Sequence, residues 1–219
     1  MYINVHSHQA ATVAGILSIQ NLYKNFPSVL TNGYFSIGLH PWFLKEETWV
    51  DEFNEVKNWG NAKNVLAIGE AGLDKVCETD MGLQKKIFAA HIQWANKIRK
   101  PLIVHCVRAH AEVLQLLQQH NNKMPVIFHG FNKSKELALQ LTAHGYYLSF
   151  GKAIEKSAMA EVMTAVPKEQ LFLETDRSDI SIQQLYTLAA SAFQIQEDSL
   201  SLQLQTNAVA VFGAAILQL

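Results

Sequence analysis

Six side chains of the kinds that bind metal ions in proteins are spread along the sequence, each at or just after a short apolar segment. They are His6, His8, Glu70, His105, His129 and Asp176. Carboxylates that lie close together repel one another and are costly to bury alone, and a divalent cation would remove both problems. Imidazole nitrogens combined with carboxylate oxygens suit Zn²⁺, Mn²⁺, Fe or Ni. Six ligands exceed the four of a tetrahedral zinc site, so two ions about 3.5–4 Å apart would use them naturally.

Taken one at a time, these residues have ordinary structural explanations. A His-x-His pattern on a strand is a weak signal, Glu70 could cap the next helix, and Asp176 could cap a helix that starts near Ser178. His105 or His129 alone would more often be a hydrogen-bonded core histidine. The prediction of a metal site rests on the six together, because chance would have to place all of them at strand ends.

Eight short segments rich in Val, Ile, Leu, Phe and Tyr predict strands. They are Tyr2–Val5, Gly15–Gln20, Tyr34–Gly38, Val65–Gly69, Leu102–His105, Val126–His129, Tyr146–Phe150 and Leu171–Thr175. Longer segments with apolar residues three or four positions apart predict helices. These are Leu83–Ile98, Ala109–His120, Lys135–Ala143 and Leu200–Leu217. Strands that alternate with helices indicate an α/β protein with a parallel sheet, and eight of them suggest a TIM-like (β/α)8 barrel.

The first connections are short for such a barrel. Only nine residues separate Val5 from Gly15, too few for a crossover helix, and the link from Gln20 to Tyr34 is also short. We therefore expect a shortened barrel whose early crossover helices are missing or reduced, unless Gly15–Gln20 is not a barrel strand. A doubly wound open sheet is the alternative, weakened because no Gly-rich turn follows the first strand. The length of 219 residues predicts a single barrel domain over 1–219.

The carboxyl ends of barrel strands converge on one face, where active sites are built. Side chains alternate along a strand, so Asn4, His6 and His8 should share one side, while Ile3 and Val5 take the other. Glu174 shares the strand face of Asp176. It would either orient a ligand imidazole or pair with a core lysine, and the sequence leaves both open. Four further histidines fall within or beside helical patterns, and we predict no functional role for them: His91, His110, His120 and His144.

Charge and cysteine content restrict the partners. The net charge is −1, so no global positive field holds a polyanion and any nucleic-acid contact must be local. Basic residues that follow the strands could form a local rim: Arg108, Lys133, Lys135, Lys152 and Arg177. Two cysteines make neither a disulfide framework nor a four-cysteine zinc site, and they fit a reducing compartment. No apolar stretch reaches 18 residues and no signal peptide is visible, so we expect no membrane partner and a cytoplasmic location.

Several motifs occur in an order typical of one family. They are His6-Ser7-His8, Gly38-Leu39-His40-Pro41, Ile68-Gly69-Glu70-Ala71-Gly72-Leu73-Asp74, Pro101-Leu102-Ile103-Val104-His105, His129-Gly130-Phe131 and Glu174-Thr175-Asp176. Over about residues 2–213 the chain resembles the TatD family of metal-dependent deoxyribonucleases, within the amidohydrolase-like barrels. The resemblance implies phosphodiester hydrolysis on DNA, with one or two divalent ions (Zn, Mn or Mg) that activate water.

The resemblance also implies roles for individual residues. His6 and His8 would bind a first ion together with Asp176, and His105 and His129 would bind a second. Glu70 would bridge the two ions or belong to both sites. Asp176 and Glu70 would be the catalytic carboxylates, with Asp176 accepting a proton from water. Three further residues are predicted to bind the substrate: His40 near the scissile phosphate, with Arg108 and Lys152.

The chain departs from the family pattern at three places. Many members carry Asp where this chain has Asn4. The fifth-strand motif usually reads His-Ser-Arg, whereas here His105 is followed by Cys106 and Val107, so the arginine is displaced to Arg108. The Pro-Tyr loop and Arg-Gly segment that usually follow Asp176 are lacking. The metal ligands are therefore retained while the substrate loops are trimmed.

Three functions follow from these observations. The first is a TatD-like deoxyribonuclease or phosphodiesterase that uses metal-activated water, acting on DNA or on a small phosphoester. The second is a metal-dependent hydrolase of a small-molecule ester, amide or lactone. The third is a non-catalytic metal-binding barrel.

Overall fold

The computed structural model describes residues 1–9, 13–24, 26 and 33–217. Within them lie eight strands: β1 (Tyr2–Ser7), β2 (Ile16–Leu22), β3 (Tyr34–Ile37), β4 (Val65–Asp74), β5 (Leu102–Val107), β6 (Val126–Phe128), β7 (Tyr147–Phe150) and β8 (Leu171–Leu173). The strands follow sequence order in the sheet, and the strand pairs whose register is described are parallel. The eight predicted strands are confirmed, with ends that shift by a few residues.

Seven α-helices lie in the same ranges: α1 (Trp49–Trp59), α2 (Met81–Ile98), α3 (His110–Gln119), α4 (Lys135–Ala143), α5 (Ser157–Ala165), α6 (Ile182–Phe193) and α7 (Glu197–Phe212). The four predicted helices are confirmed, although α7 ends before Gly213, after which a 3-10 turn covers Ala214–Leu217. Helices α1 and α5 were not predicted, and α6 was expected only without bounds, as a helix that starts near Ser178; it starts at Ile182. A local signal existed for α6, because Ser181 and Gln184 form a reciprocal capping box at its start. No helix of the described residues is long and apolar enough to cross a membrane.

The early connections lie partly outside the described residues. Between β1 and β2, the described positions 8–9 and 13–15 form no helix. Positions 10–12 fall outside the described residues, as do 25 and 27–32 in the link from β2 to β3. The described Phe26 in that second link is helical, and the prediction of missing or reduced early helices stays a prediction there. The next connection does hold a helix, α1.

The chain comprises two compact units, one formed by residues 1–20 with 127–219 and the other by residues 21–126. The single domain over 1–219 stays a prediction. In the first unit the Tyr186 hydroxyl on α6 accepts from the Ile3 N–H at 2.9 Å and lies 3.2 Å from the Ile3 carbonyl. The Asn4 amide donates to the hydroxyls of Ser18 at 3.1 Å and Thr175 at 2.9 Å. Asn4 therefore joins β1 both to β2 and to the segment after β8.

In the second unit a buried histidine holds the segment after β3. The Leu39 N–H donates to Nε2 of His91 on α2 at 3.0 Å. That nitrogen is therefore the acceptor, so Nδ1 carries the proton and donates to the Ile87 carbonyl at 2.8 Å. Burial lowers the pKa of His91 from 6.5 to about 4. His91 thus has a structural role as a neutral imidazole that fixes the backbone next to His40.

We expect His91 to make folding sensitive to mild acid. Between pH 6.5 and pH 4 the unfolded chain takes up a proton at this position that the folded chain does not, so stability falls as pH falls. The full effect amounts to about 3 kcal/mol. Urea unfolding at pH 7 and pH 5 measures it. His91→Gln, which keeps an acceptor for Leu39, should flatten this pH dependence, whereas His144→Gln at an exposed position should not. Equal slopes in the two variants would contradict the assignment.

Candidate metal-binding clusters

A first cluster of potential ligands consists of His6, His8 and Asp176, all in the first unit. Strand β1 carries His6 and leads to His8. Two backbone hydrogen bonds tie Asp176 to this segment: the Asp176 N–H donates to the His6 carbonyl at 3.1 Å, and the His8 N–H donates to the Asp176 carbonyl at 3.0 Å. One Asp176 carboxylate oxygen lies 3.3 Å from His8 Nε2 and 3.8 Å from His6 Nε2. The structure thus brings together three of the predicted residues.

The charge state of Asp176 suits a ligand or a base. Burial raises the pKa of its carboxyl group, but the hydrogen bond with His8 and the neighbouring imidazoles of His129 and His6 outweigh burial, and the pKa lies below its ordinary value. The residue also has a positive φ of 50°. Non-glycine residues adopt this left-handed conformation uncommonly, and Asp is among those that tolerate it best.

His129 and Glu174 lie beside the first cluster. The rings of His6 and His129 are 4.3 Å apart between centroids. Glu174 accepts from the Gly130 N–H at 2.8 Å and lies 3.4 Å from His129 Nδ1. Burial raises the pKa of Glu174. Of the two alternatives that the sequence left open for Glu174, its contacts favour orientation of an imidazole.

A second cluster consists of His40, Glu70 and His105, all in the second unit. One oxygen of Glu70 lies 3.1 Å from His40 Nε2 and 2.8 Å from His105 Nδ1. His40 caps the 3-10 helix Pro41–Phe43, because its Nδ1 accepts from the Trp42 N–H at 3.1 Å. A neutral His40 therefore carries its proton on Nε2 and can donate it to an oxygen. In the structure that nitrogen lies against Glu70, and the predicted contact of His40 with a substrate phosphate stays a prediction.

Glu70 is clamped by a residue that the sequence analysis missed. The Glu70 N–H donates to Asn21 Oδ1 at 2.7 Å, and Asn21 Nδ2 donates to the other Glu70 oxygen at 3.2 Å. The Ser36 hydroxyl also reaches Asn21 Oδ1, at 3.3 Å. Asn21 directly follows the predicted strand Gly15–Gln20, so its position at a strand end was the available signal.

Asp74 is the second residue without a predicted role. Its Oδ2 lies 3.0 Å from His105 Nε2 and accepts from the Trp42 indole N–H at 2.6 Å. Burial raises the pKa of Asp74, but these two hydrogen bonds and a third from the Val76 N–H outweigh it, and the pKa is lowered. Because β4 continues to Asp74, Glu70 and Asp74 share one strand face and approach the two nitrogens of the same imidazole. Asp74 can thus orient His105 as outer carboxylates orient metal-binding histidines.

A glycine between these carboxylates allows the approach. A Cβ added to Gly72 would lie 1.9 Å from the carbonyl oxygen of His105, and the residue has φ of 154°. Any side chain would push β4 and β5 apart. The absence of a side chain at Gly72 is therefore what lets His105 reach Glu70 and Asp74.

The other predicted residues lie in different surroundings. Arg108 is exposed after β5. Lys152 donates to Asp179 at 2.6 Å in an ion pair at the surface, so it would have to leave that partner to bind a phosphate. The contacts described for His105 include Glu70, Asp74 and the ring of His40, and those described for His129 include Glu174 and His6. The shared second ion of these two histidines and the bridging role of Glu70 stay predictions.

Both clusters fit a divalent cation. In each of them, one donor atom from every residue lies within 4.8 Å of the others. Two ligands about 2.1 Å from a tetrahedral zinc are about 3.4 Å apart. The separation of 3.3 Å between His8 and Asp176 is close to that value, and the 2.8 Å between His105 and Glu70 is somewhat shorter. Nitrogen and carboxylate donors at such spacing suit Zn²⁺ or Mn²⁺.

Curated relatives share part of this chain. The uncharacterized metal-dependent hydrolase BU355 of Buchnera aphidicola is 29% identical to this chain over 179 residues. The matched region covers 77% of this chain and 66% of the relative. The uncharacterized metal-dependent hydrolase YcfH of Escherichia coli K12 is 28% identical over 172 residues, 76% of this chain and 62% of the relative. The chain therefore spans slightly less than two thirds of the length of these relatives.

A solved structure shows the fold. The crystal structure of YJJV, a TatD homologue from Escherichia coli K12, superposes with a TM-score of 0.82 at 20% sequence identity and covers 97% of this chain and 98% of that one. With the eight parallel strands in sequence order, this confirms the predicted TIM-like (β/α)8 fold. The sequence model of the family described as TatD related DNase matches residues 4–212. The chain therefore belongs to the TatD-related DNase family.

Proposed function

We propose that this chain is a metal-dependent hydrolase that cleaves phosphodiester bonds of DNA with one or two divalent ions, Zn, Mn or Mg. The observation that carries the proposal is the presence, in each compact unit, of a cluster in which imidazole and carboxylate donors lie within 4.8 Å of one another. Membership of the TatD-related DNase family supports the substrate class. The curated relatives support metal dependence and hydrolysis through their names.

Within this proposal, His6, His8 and Asp176 hold one ion, and Glu70 with His105 holds another. When bound, such an ion lowers the pKa of water and offsets the negative charge that builds on the phosphoryl oxygens. Asp176, ionised because its pKa is lowered, accepts a proton from the attacking water at its carboxylate. The proton then goes to the leaving oxygen as the P–O bond breaks.

The second cluster holds its own groups in positions suited to phosphate chemistry. His40 Nε2–H faces Glu70 in the structure and would donate to a phosphate oxygen once an ion takes the Glu70 oxygen, while the Trp42 N–H occupies its other nitrogen. Asn21 holds the Glu70 carboxylate in one orientation, and Asp74 holds the His105 ring. Groups that are already oriented need no rearrangement when the substrate arrives, which is the main advantage of such an arrangement.

A small-molecule substrate is the second candidate, and one observation favours it. Lys152, the cation predicted to bind a phosphate, is paired with Asp179. With a net charge of −1, little long-range attraction for DNA remains. A compact ester, amide or lactone would not need that attraction.

Replacement of Glu70 tests the metal sites. We expect Glu70→Ala to reduce turnover at least about 100-fold and to lower the bound metal, because His105 without its carboxylate partner binds a divalent ion weakly. Elemental analysis of protein purified without chelator and an oligonucleotide cleavage assay measure the two effects, and circular dichroism checks the fold. Glu47→Ala at an exposed position is the control. Full turnover and full metal content in Glu70→Ala would refute the assignment of Glu70.

Replacement of Asp74 tests the orientation of His105. Asp74→Asn keeps an acceptor for the Trp42 indole but removes the charge that polarises the imidazole. We expect metal affinity or activity to fall about 10- to 100-fold, as is usual for outer carboxylates. Metal titration measures the affinity, with Asp51→Asn on α1 as the matched control. An unchanged affinity and rate would mean that Asp74 serves only the fold.

Salt dependence separates the two substrate classes. If phosphate contacts drive binding, the affinity for a short oligonucleotide should fall steeply between 50 and 200 mM salt, with a log–log slope of about −0.7 for each phosphate contact with a single strand. Hydrolysis of uncharged esters and lactones should change little. No cleavage of any oligonucleotide, together with efficient turnover of such an ester, would favour the small-molecule function.

A further inference from the structure

An exposed group of aromatic rings lies directly beside His40. Trp42 is 52% and Phe43 is 44% exposed, although both belong to the short helix that His40 caps. Tyr23 stacks on Phe43 with 4.9 Å between ring centroids and 23° between ring planes. We call Tyr23, Trp42 and Phe43 the aromatic shelf. Large exposed aromatic side chains that adjoin a polar site commonly mark a place where a ligand binds.

The shelf is held in place before any ligand arrives. The Trp42 indole N–H donates to Asp74 at 2.6 Å, and the Trp42 backbone N–H donates to His40 at 3.1 Å. The His40 ring lies 5.2 Å from the Trp42 ring and 5.6 Å from the Phe43 ring, between centroids. A group bound on the shelf therefore lies near the imidazole that we assign to the substrate phosphate.

The cavity in front of the shelf has the size and charge of a nucleotide site. Its volume is about 440 Å³, and its lining includes the three shelf residues, His40 and two lysines, Lys24 and Lys45, with one carboxylate, Glu52. Pockets of about 300–1,000 Å³ hold small molecules. The Lys24 ammonium lies 5.2 Å from the centre of the Tyr23 ring, so a positive charge accompanies the aromatic faces.

From these features we infer that the aromatic shelf binds an unpaired nucleobase of the nucleotide whose phosphate meets His40, by stacking on Phe43 beside Trp42. This inference rests on the proposed phosphodiesterase function and names the part of the substrate that the site recognises. A base within a duplex has both faces covered, whereas an unpaired base offers a face to the rings. Lys24 and Lys45 line the same cavity and offer positive charge to neighbouring phosphates.

The test compares two single-stranded oligonucleotides of the same length and phosphate number, one with bases and one with abasic sites at its ends. Stacking contributes about 1–3 kcal/mol per base, so we expect kcat/KM to be about tenfold higher, or more, for the oligonucleotide with bases. Phe43→Leu, which keeps the apolar character and loses the aromatic face, should reduce this preference severalfold. Phe43→Tyr should keep it. Leu202→Ala, at a position 67% exposed on α7, is the control.

A binding measurement separates failure of this inference from failure of the proposed function. Titration with a nucleoside monophosphate should quench tryptophan fluorescence in the full chain. Trp42→Phe should remove most of the quench because Trp42 is the tryptophan on the shelf, while the three other tryptophans still supply a fluorescence signal. If no oligonucleotide is cleaved but the quench depends on Trp42 and binding weakens about tenfold in Phe43→Leu, the shelf stands and the phosphodiesterase function fails.

Equal cleavage of both oligonucleotides, unaltered by Phe43→Leu, would overturn the shelf and leave the proposed function intact. Nucleotide binding as tight in Phe43→Leu as in the unmodified chain would also overturn it, because an apolar contact without stacking would then be sufficient. Phe43→Tyr shows that position 43 tolerates replacement, so loss of preference in Phe43→Leu alone reports the aromatic face.

Discussion

The cost of burying a carboxylate governs the arrangement of the site. Glu70 is only 3% exposed, and every part of it is held: the backbone N–H and one oxygen by Asn21, the other oxygen by the imidazoles of His40 and His105. A buried carboxylate without such partners would lose several kcal/mol, or would be protonated. Asp176 meets this requirement only in part, because its side chain is 43% exposed, but its oxygen also faces two imidazoles and its backbone is tied to β1.

Parallel strands make this concentration of polar groups possible. The strand interiors are apolar and buried, as in Ile3, Val5, Leu102 and Ile103. The polar residues lie at the strand ends. The register of β4 and β5 pairs Gly72 with His105, and the missing side chain lets the two backbones approach. Support for the chemistry therefore comes from residues that do no chemistry themselves. His91 belongs to this group, because it fixes the segment that leads to His40.

Trp42 links two parts of the second unit. Its indole N–H fills an acceptor of Asp74, which faces His105, while its ring remains exposed beside His40. One residue thus contributes to the orientation of a potential ligand and to the surface that the substrate meets. Changes at the aromatic shelf should therefore be read together with the state of Asp74 and His105.

The sequence by itself determined the strands, most of the helices near the site, and the residue types at the strand ends. Apolar periodicity encodes which face of an element is buried, and this information is local, so it placed His6 and His8 at the end of β1. Helix α1 was not predicted from the sequence, whereas the start of α6 carries a capping box. Only the tertiary structure decided that Asn21 clamps Glu70 and that Asp74 faces His105, across 49 and 31 positions of chain. Such pairs depend on strand register and side-chain direction, which the order of residues along one segment does not specify.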